Sequence, residues 1–128
     1  RVLDTDRHGN FLATGGVRLS LTDWVRLARY IASQKDAPTC FGQFVRELGR
    51  KQIAAPKMAG VNGYFNGYGY FTWTDNDLAP HTAWAVGAQG QRMGWSHEPK
   101  NTRVFLTFGD GTDADMGQIY PVARRWIQ

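Results

Sequence analysis

The sequence predicts an α+β fold: two helices, then an antiparallel sheet of about four strands, then a C-terminal helix packed on that sheet. Three observations predict it. Apolar residues recur at helical spacing from 21 to 31 and again from 116 to 127. Between those stretches the chain breaks into short runs rich in aromatic and β-branched residues, punctuated by glycine, proline and aspartate. Helices come first, strands next and a helix last, so the elements are segregated rather than alternating. At 128 residues the chain is one domain, divided into a helical segment over 1–60 and a sheet plus terminal helix over 61–128.

Residues 1–16 are turn-rich, with Asp4, Asp6, Gly9, Asn10, Gly15 and Gly16. Asp4-Thr5-Asp6 faintly resembles the start of a calcium loop. Such a loop needs a carboxylate at its twelfth position, and here that position is Gly15. The first helix starts at Ser20, where Ser20 and Asp23 form a Ser-x-x-acid cap at the positive end of the helix dipole. Leu21, Trp24, Val25, Leu27, Ala28 and Ile31 form its apolar stripe. A second helix covers Phe41 to Leu48, with Phe44, Val45 and Leu48 inward and Gly49 as its stop. Residues 50–63 form a long connection.

The period then changes. Tyr68 to Trp73 reads as an aromatic strand, and Asp75-Asn76-Asp77 as a turn. Trp84 to Gly87 is a second strand. Gln91 to Ser96 is a third, with Met93 and Trp95 on one face. Arg103 to Phe108 is almost continuously apolar, which places it centrally in the sheet. The last helix presents Met116, Ile119, Tyr120, Ala123 and Ile127 on one face, with Pro121 off it. Asp110, Asp113 and Asp115 precede or open that helix, and their place is at its N-terminus rather than around a metal.

Composition excludes several classes. The net charge is +4 and the pI about 9.5, yet the basic residues are scattered with no run of five, so no nucleic-acid partner is expected. Apolar stretches are too short for a transmembrane helix, so no membrane partner is expected either. The lone Cys40 forms no internal disulfide and no cysteine-rich zinc site. No cofactor is implied. The chain does not begin with Met, and Arg1-Val2-Leu3-Asp4 reads as the middle of a longer polypeptide.

Three stretches carry a resemblance. The first is Gly15-Gly16-Val17 with Thr22-Asp23-Trp24-Val25-Arg26-Leu27-Ala28-Arg29-Tyr30. The second is Gly67-Tyr68-Gly69-Tyr70-Phe71-Thr72-Trp73. The third is Val86-Gly87-Ala88-Gln89-Gly90-Gln91-Arg92, followed by Pro99 and Val104 to Phe108. In this order they resemble the C-terminal part of the serine β-lactamase-like and penicillin-binding-protein-like hydrolases. The third stretch resembles the corresponding segment of the branch with class C β-lactamases, esterases and aminohexanoate-dimer hydrolases. The resemblance covers most of the chain. It implies a sandwich of sheet and helices, and cleavage of a small amide or ester through a serine acyl-enzyme.

The family's Ser-x-x-Lys is absent: Ser33 with Lys35, and Ser96 with Lys100, have the wrong spacing. Tyr64-Phe65-Asn66 spells the family's Tyr-x-Asn but lies too close to the third motif, and reads as a turn before a strand. His81-Thr82-Ala83 mimics a His-x-Gly motif and sits too early. The nucleophile, its lysine and the working tyrosine are therefore expected upstream of Arg1, and this chain alone is expected to be inactive. Aligning on Gly90-Gln91 sets Ala85-Val86-Gly87 where the family has Lys-Thr-Gly. The resemblance then implies a substrate wall made of Ala85, Val86, Gly87, Ala88 and Gly90, with the Ala88 N–H as oxyanion donor. The sheet is expected to be completed by the missing N-terminal half or by a second chain. A different class of function stays open beside this one: a non-catalytic binding module. It would use the aromatic run from Tyr64 to Trp73 as a face for glycan, peptidoglycan or nucleic acid.

Overall fold

A computed structural model describes residues 2–12, 15–55, 63–87, 90–109 and 113–128. Two short strands, β1 (Val2–Leu3) and β2 (Val17–Arg18), pair antiparallel. Two helices follow, α1 (Leu21–Gln34) and α2 (Cys40–Leu48). Six strands come next: β3 (Ile53–Ala54), β4 (Phe65–Tyr68), β5 (Trp73–Asn76), β6 (Thr82–Val86), β7 (Arg92–Ser96) and β8 (Val104–Thr107). Helix α3 (Asp113–Ile127) ends the fold. The sheet is an antiparallel meander whose spatial order β3-β4-β5-β6-β7-β8 is the chain order. The α+β class and the helix order match the sequence expectation, while the sheet has six strands where about four were expected.

Both helix starts obey local rules. The Ser20 hydroxyl accepts from the Asp23 N–H at 3.2 Å, and Thr39 caps α2 by accepting from the Gly42 N–H at 3.0 Å. Pro121 lies inside α3, off its buried face.

Period-two alternation gives the sheet two apolar faces, and helices cover both. On one face Phe65, Trp84, Val86 and Phe105 meet Met116, Tyr120, Ala123 and Ile127 of α3. On the other, Ala83, Ala85, Met93, Trp95 and Val104 meet Ile31 and Ala32 of α1 and Leu48 of α2. Trp84 is fully buried, with its ring edge-to-face on Tyr120 at 4.9 Å. Such a contact adds about 1 kcal/mol to the area buried. Its indole N–H is satisfied by Thr82 Oγ1 at 2.6 Å, and that hydroxyl in turn donates to the Ala79 carbonyl.

Four expectations are corrected. Tyr68 to Trp73 is not one strand: Tyr68 ends β4, Trp73 begins β5, and residues 69–72 between them are the turn of the β4–β5 hairpin. The Gly69 N–H donates to the Thr72 carbonyl at 2.8 Å, and Phe71 takes φ 61° at the tip. The cause lies at the end of α2: the carbonyls of Leu48, its last residue, and of Arg50 crowd Gly69 so closely that a Cβ there would lie 2.8 Å from each. The Asp75-Asn76-Asp77 turn falls later, because Asn76 is still in β5. Its buried Oδ1 accepts from the Leu78 and Ala79 N–H groups, both at 2.9 Å, and so starts the turn. Phe44 is exposed rather than inward; it joins Phe41 and Tyr30 in an aromatic row on the outside of the helix pair. Strand β8 is an edge and not a central strand. Its apolar run reflects helices on both faces, not strands on both sides.

Candidate functional site

The strip matched to the third motif lies at the end of β6 and in the β6–β7 turn. Ala85 points to the α1 face and Val86 to the α3 face, both half-buried. Gly87 is exposed, and its N–H donates to the Gln91 carbonyl at 2.8 Å, closing the turn. Gly90 is buried at φ 77°, a conformation that glycine adopts at no steric cost. Ala88 and Gln89 lie outside the described residues.

Side chains tie this turn to its surroundings. Thr107 Oγ1 donates to the Gly90 carbonyl at 2.5 Å, and Gln91 Nε2 to the Gly109 carbonyl at 2.8 Å. Arg92, only 5% exposed, donates from one Nη to the carbonyls of Gly87 and Gln91 at 2.5 and 3.0 Å. Arg92 pairs across the ladder with Val86, so its side chain leaves the sheet on the α3 face.

The neighbouring strand leaves β6 open here. Strands β5 and β6 pair only at Trp73 and Trp84. Beyond that point, among the described residues, no strand pairs with Ala85–Gly87 on the β5 side. Antiparallel order brings the β4–β5 turn and the end of β8 to the same end of the sheet as Gly87. Exposed Tyr70, Phe71 and Phe108 are therefore at that end.

The other candidates have structural work. Tyr64 packs edge-on against Tyr120 at 5.7 Å, and its hydroxyl lies over Gly117, where a Cβ would be 2.3 Å from it. Asn66 donates to the Asp75 carbonyl and to Asp77 Oδ1, holding the β4–β5 hairpin. His81 stands at the opposite end of β6 from Gly87, exposed at φ 58°. Ser33 donates to the Tyr30 carbonyl, while Lys35 is buried and donates to the Ala32 and Asn101 carbonyls. Ser96 is buried and accepts from the Glu98 N–H, and the Lys100 N–H is bound by Asp36. Neither serine meets its lysine.

Asp6 spends its carboxylate on the Asn10 side chain and on the His8 and Asn10 amides. The Asn10 side chain is the foremost of the contacts that hold it below the usual carboxylate range. Among the described residues no cluster of His, Cys, Asp or Glu could hold a metal, and no helix is long and apolar enough to cross a membrane. Asp110 is outside the described residues, and Asp113 is the first residue of α3.

Arg92 is the residue that sequence reasoning missed. Its signal was the alternation itself: with Met93 and Trp95 on one face, Arg92 falls on the other, where a charge is out of place unless carbonyls receive it. Comparison with known proteins finds no matching family model, no similar curated protein and no similar solved structure.

Proposed function

We propose that this chain is the C-terminal part of a serine β-lactamase-like hydrolase that cleaves a small amide or ester. The observation that carries the reading is the strip Ala85–Val86–Gly87, with which no strand among the described residues pairs on the β5 side, and which coincides with the segment resembling the family's third motif. An unpaired strand edge offers backbone groups to an extended substrate. Further support comes from the layering of α1 and α3 on the two faces of the sheet, as a β-lactamase-like sandwich requires.

In this reading a serine upstream of Arg1 loses its proton to its lysine and attacks the substrate carbonyl. The carbonyl π pair moves to oxygen. That oxyanion is stabilised by the N–H that follows Gly87, the amide of Ala88. Collapse expels the amine or alcohol with a proton, and water then releases the acid from the acyl-enzyme. Ala85 and Val86 replace the charged and hydroxyl side chains of the motif, so this wall acts through backbone alone.

The test uses the full-length natural protein. A fluorophosphonate should label one serine upstream of Arg1, within Ser-x-x-Lys, and no serine of the 128-residue chain. Ala88→Ser keeps the N–H and should hold kcat within about tenfold, while a folded Ala88→Pro should lose about 10²–10³ in kcat/KM on an activated ester. Stoichiometric labelling of the isolated chain, or an equally active folded Ala88→Pro, would sink the reading.

A binding module with an aromatic face receives less support. Phe65 and Tyr68 both pack on Trp73, with ring centroids 5.8 and 4.8 Å away, and of that run only Tyr70 and Phe71 stand exposed as large aromatics.

A further inference from the structure

We propose that a second copy of this chain docks on the aromatic surface where α2 meets the β4–β5 turn, each copy seating its Phe71 in a cavity of the other. The pairing does not depend on the hydrolase reading above. A cavity of about 300 Å³ lies between α2 and the turn, lined among the described residues by Cys40, Gln43, Phe44, Glu47 and Tyr70. It has room for a phenyl ring, since a cavity of about 150 Å³ holds benzene. Glu47 brings a charge to the wall, but its two carboxylate oxygens accept from Arg50 at 2.9 Å and Gln52 at 3.3 Å. An apolar guest therefore leaves no charge without a partner there.

The group that fits the cavity stands beside it. Phe71 follows Tyr70 in the turn, is 83% exposed and holds φ 61°. Glycine or asparagine fills such a turn position without strain. Phenylalanine there is strained and keeps its ring in water, two costs that burial in a second copy offsets. Hollow and projection thus share one loop. A two-fold interface requires that arrangement, because the same patch must supply both halves of each contact. The surroundings extend the patch. Phe44 continues into Phe41 and Tyr30, with successive ring centroids 6.2 and 5.7 Å apart, and all three are exposed. With Tyr70 and Phe71 these rings expose roughly 500–600 Å² of apolar surface, at about 200 Å² per aromatic side chain. One partner in a stable complex buries about 800 Å², so the patch supplies most of what a dimer needs.

The test uses the full-length natural protein and Phe71→Asn, which keeps the turn because asparagine tolerates this backbone. Sedimentation at about 100 µM should give wild type the mass of a dimer. Phe71→Asn should raise the dimer dissociation constant about 100-fold or more, since both copies lose an anchor. Cys40 reports on the cavity, because it is exposed and lines it. Its alkylation, followed on the Cys40 peptide by mass spectrometry, should be about tenfold slower in wild type than in Phe71→Asn at the same concentration. If Phe71→Asn does not fold, wild type diluted to its monomer takes its place: faster alkylation there supports the pairing, and an unchanged rate overturns it. Wild type that stays monomeric at about 100 µM overturns it too, and leaves the surface to a different partner. So does a dimer that Phe71→Asn leaves intact, or one in which Cys40 alkylates as fast as in the monomer; such a dimer is held elsewhere, as along β8.

Discussion

Gly49 ends α2 at φ −88°, which any residue adopts, so its backbone does not demand glycine. What demands it is His97: a Cβ on Gly49 would lie 1.6 Å from the imidazole Cε1. The ring is thus seated against the end of α2, and its Nε2 is buried with no hydrogen-bond partner among the described residues. Burial is the main cause that pulls the His97 pKa below its ordinary 6.5. Lys35 and His81 act the same way, while Asp75 and Glu98 oppose them. The folded state therefore favours neutral His97 more than the unfolded chain does. Its contribution to stability is complete above pH 6.5 and is lost as pH falls from there through the lowered folded value. Melting curves from pH 8 to pH 5 should show Tm dropping on the acid side, and His97→Asn should remove part of that drop. Parallel Tm–pH profiles for the two proteins would refute the assignment.

Elements differed in how far the sequence disclosed them. The start of α1 was legible because capping involves only four neighbouring residues, Ser20 to Asp23. The faces of β7 were legible because Met93 and Trp95 alternate with Arg92 and Gly94. The β4–β5 hairpin was not. Its turn carries Tyr70 and Phe71 instead of Asn-Gly or Asp-Gly, and contacts from residues 48–50, distant in sequence, impose it. The site was half legible: Gly87 and Gly90 mark a strand corner, whereas Arg92 has meaning only after faces are assigned. One glycine in β7 shows how elements lock together. Gly94 lies opposite Trp84, and a Cβ there would approach three ring carbons at 2.7 Å. The indole fills the space a side chain would take. Gly94→Ala should therefore destabilise by about 1–3 kcal/mol, seen as a lower denaturation midpoint together with a changed near-ultraviolet dichroism band. A midpoint equal to wild type would mean that Trp84 does not rest on Gly94.

At the scale of the molecule the telling feature is β8. Val104 packs into the α1-side core and Phe105 into the α3-side core, so the strand has the two covered faces of an interior strand. It nevertheless stands last in the sheet. An apolar edge is a template for pairing, and proteins that leave an edge open usually blunt it with charge or proline. Val104-Phe105-Leu106-Thr107 carries neither. Among the described residues a partial cover exists, the Trp126 indole N–H bound to the Val104 carbonyl at 3.1 Å. On the hydrolase reading, we propose that a strand from the N-terminal half or a second chain lies along this edge. Amide exchange tests this directly. In the 128-residue chain, alternate amides of β8 have no ladder partner among the described residues and should exchange at nearly free rates, while the others are held by β7. In the full-length natural protein all four should be slow, with the exposed set gaining protection of about 10²-fold or more, because opening then requires separating two paired strands. Identical exchange in both proteins would mean that nothing pairs with β8. The apolar run would then be explained by the two helices alone.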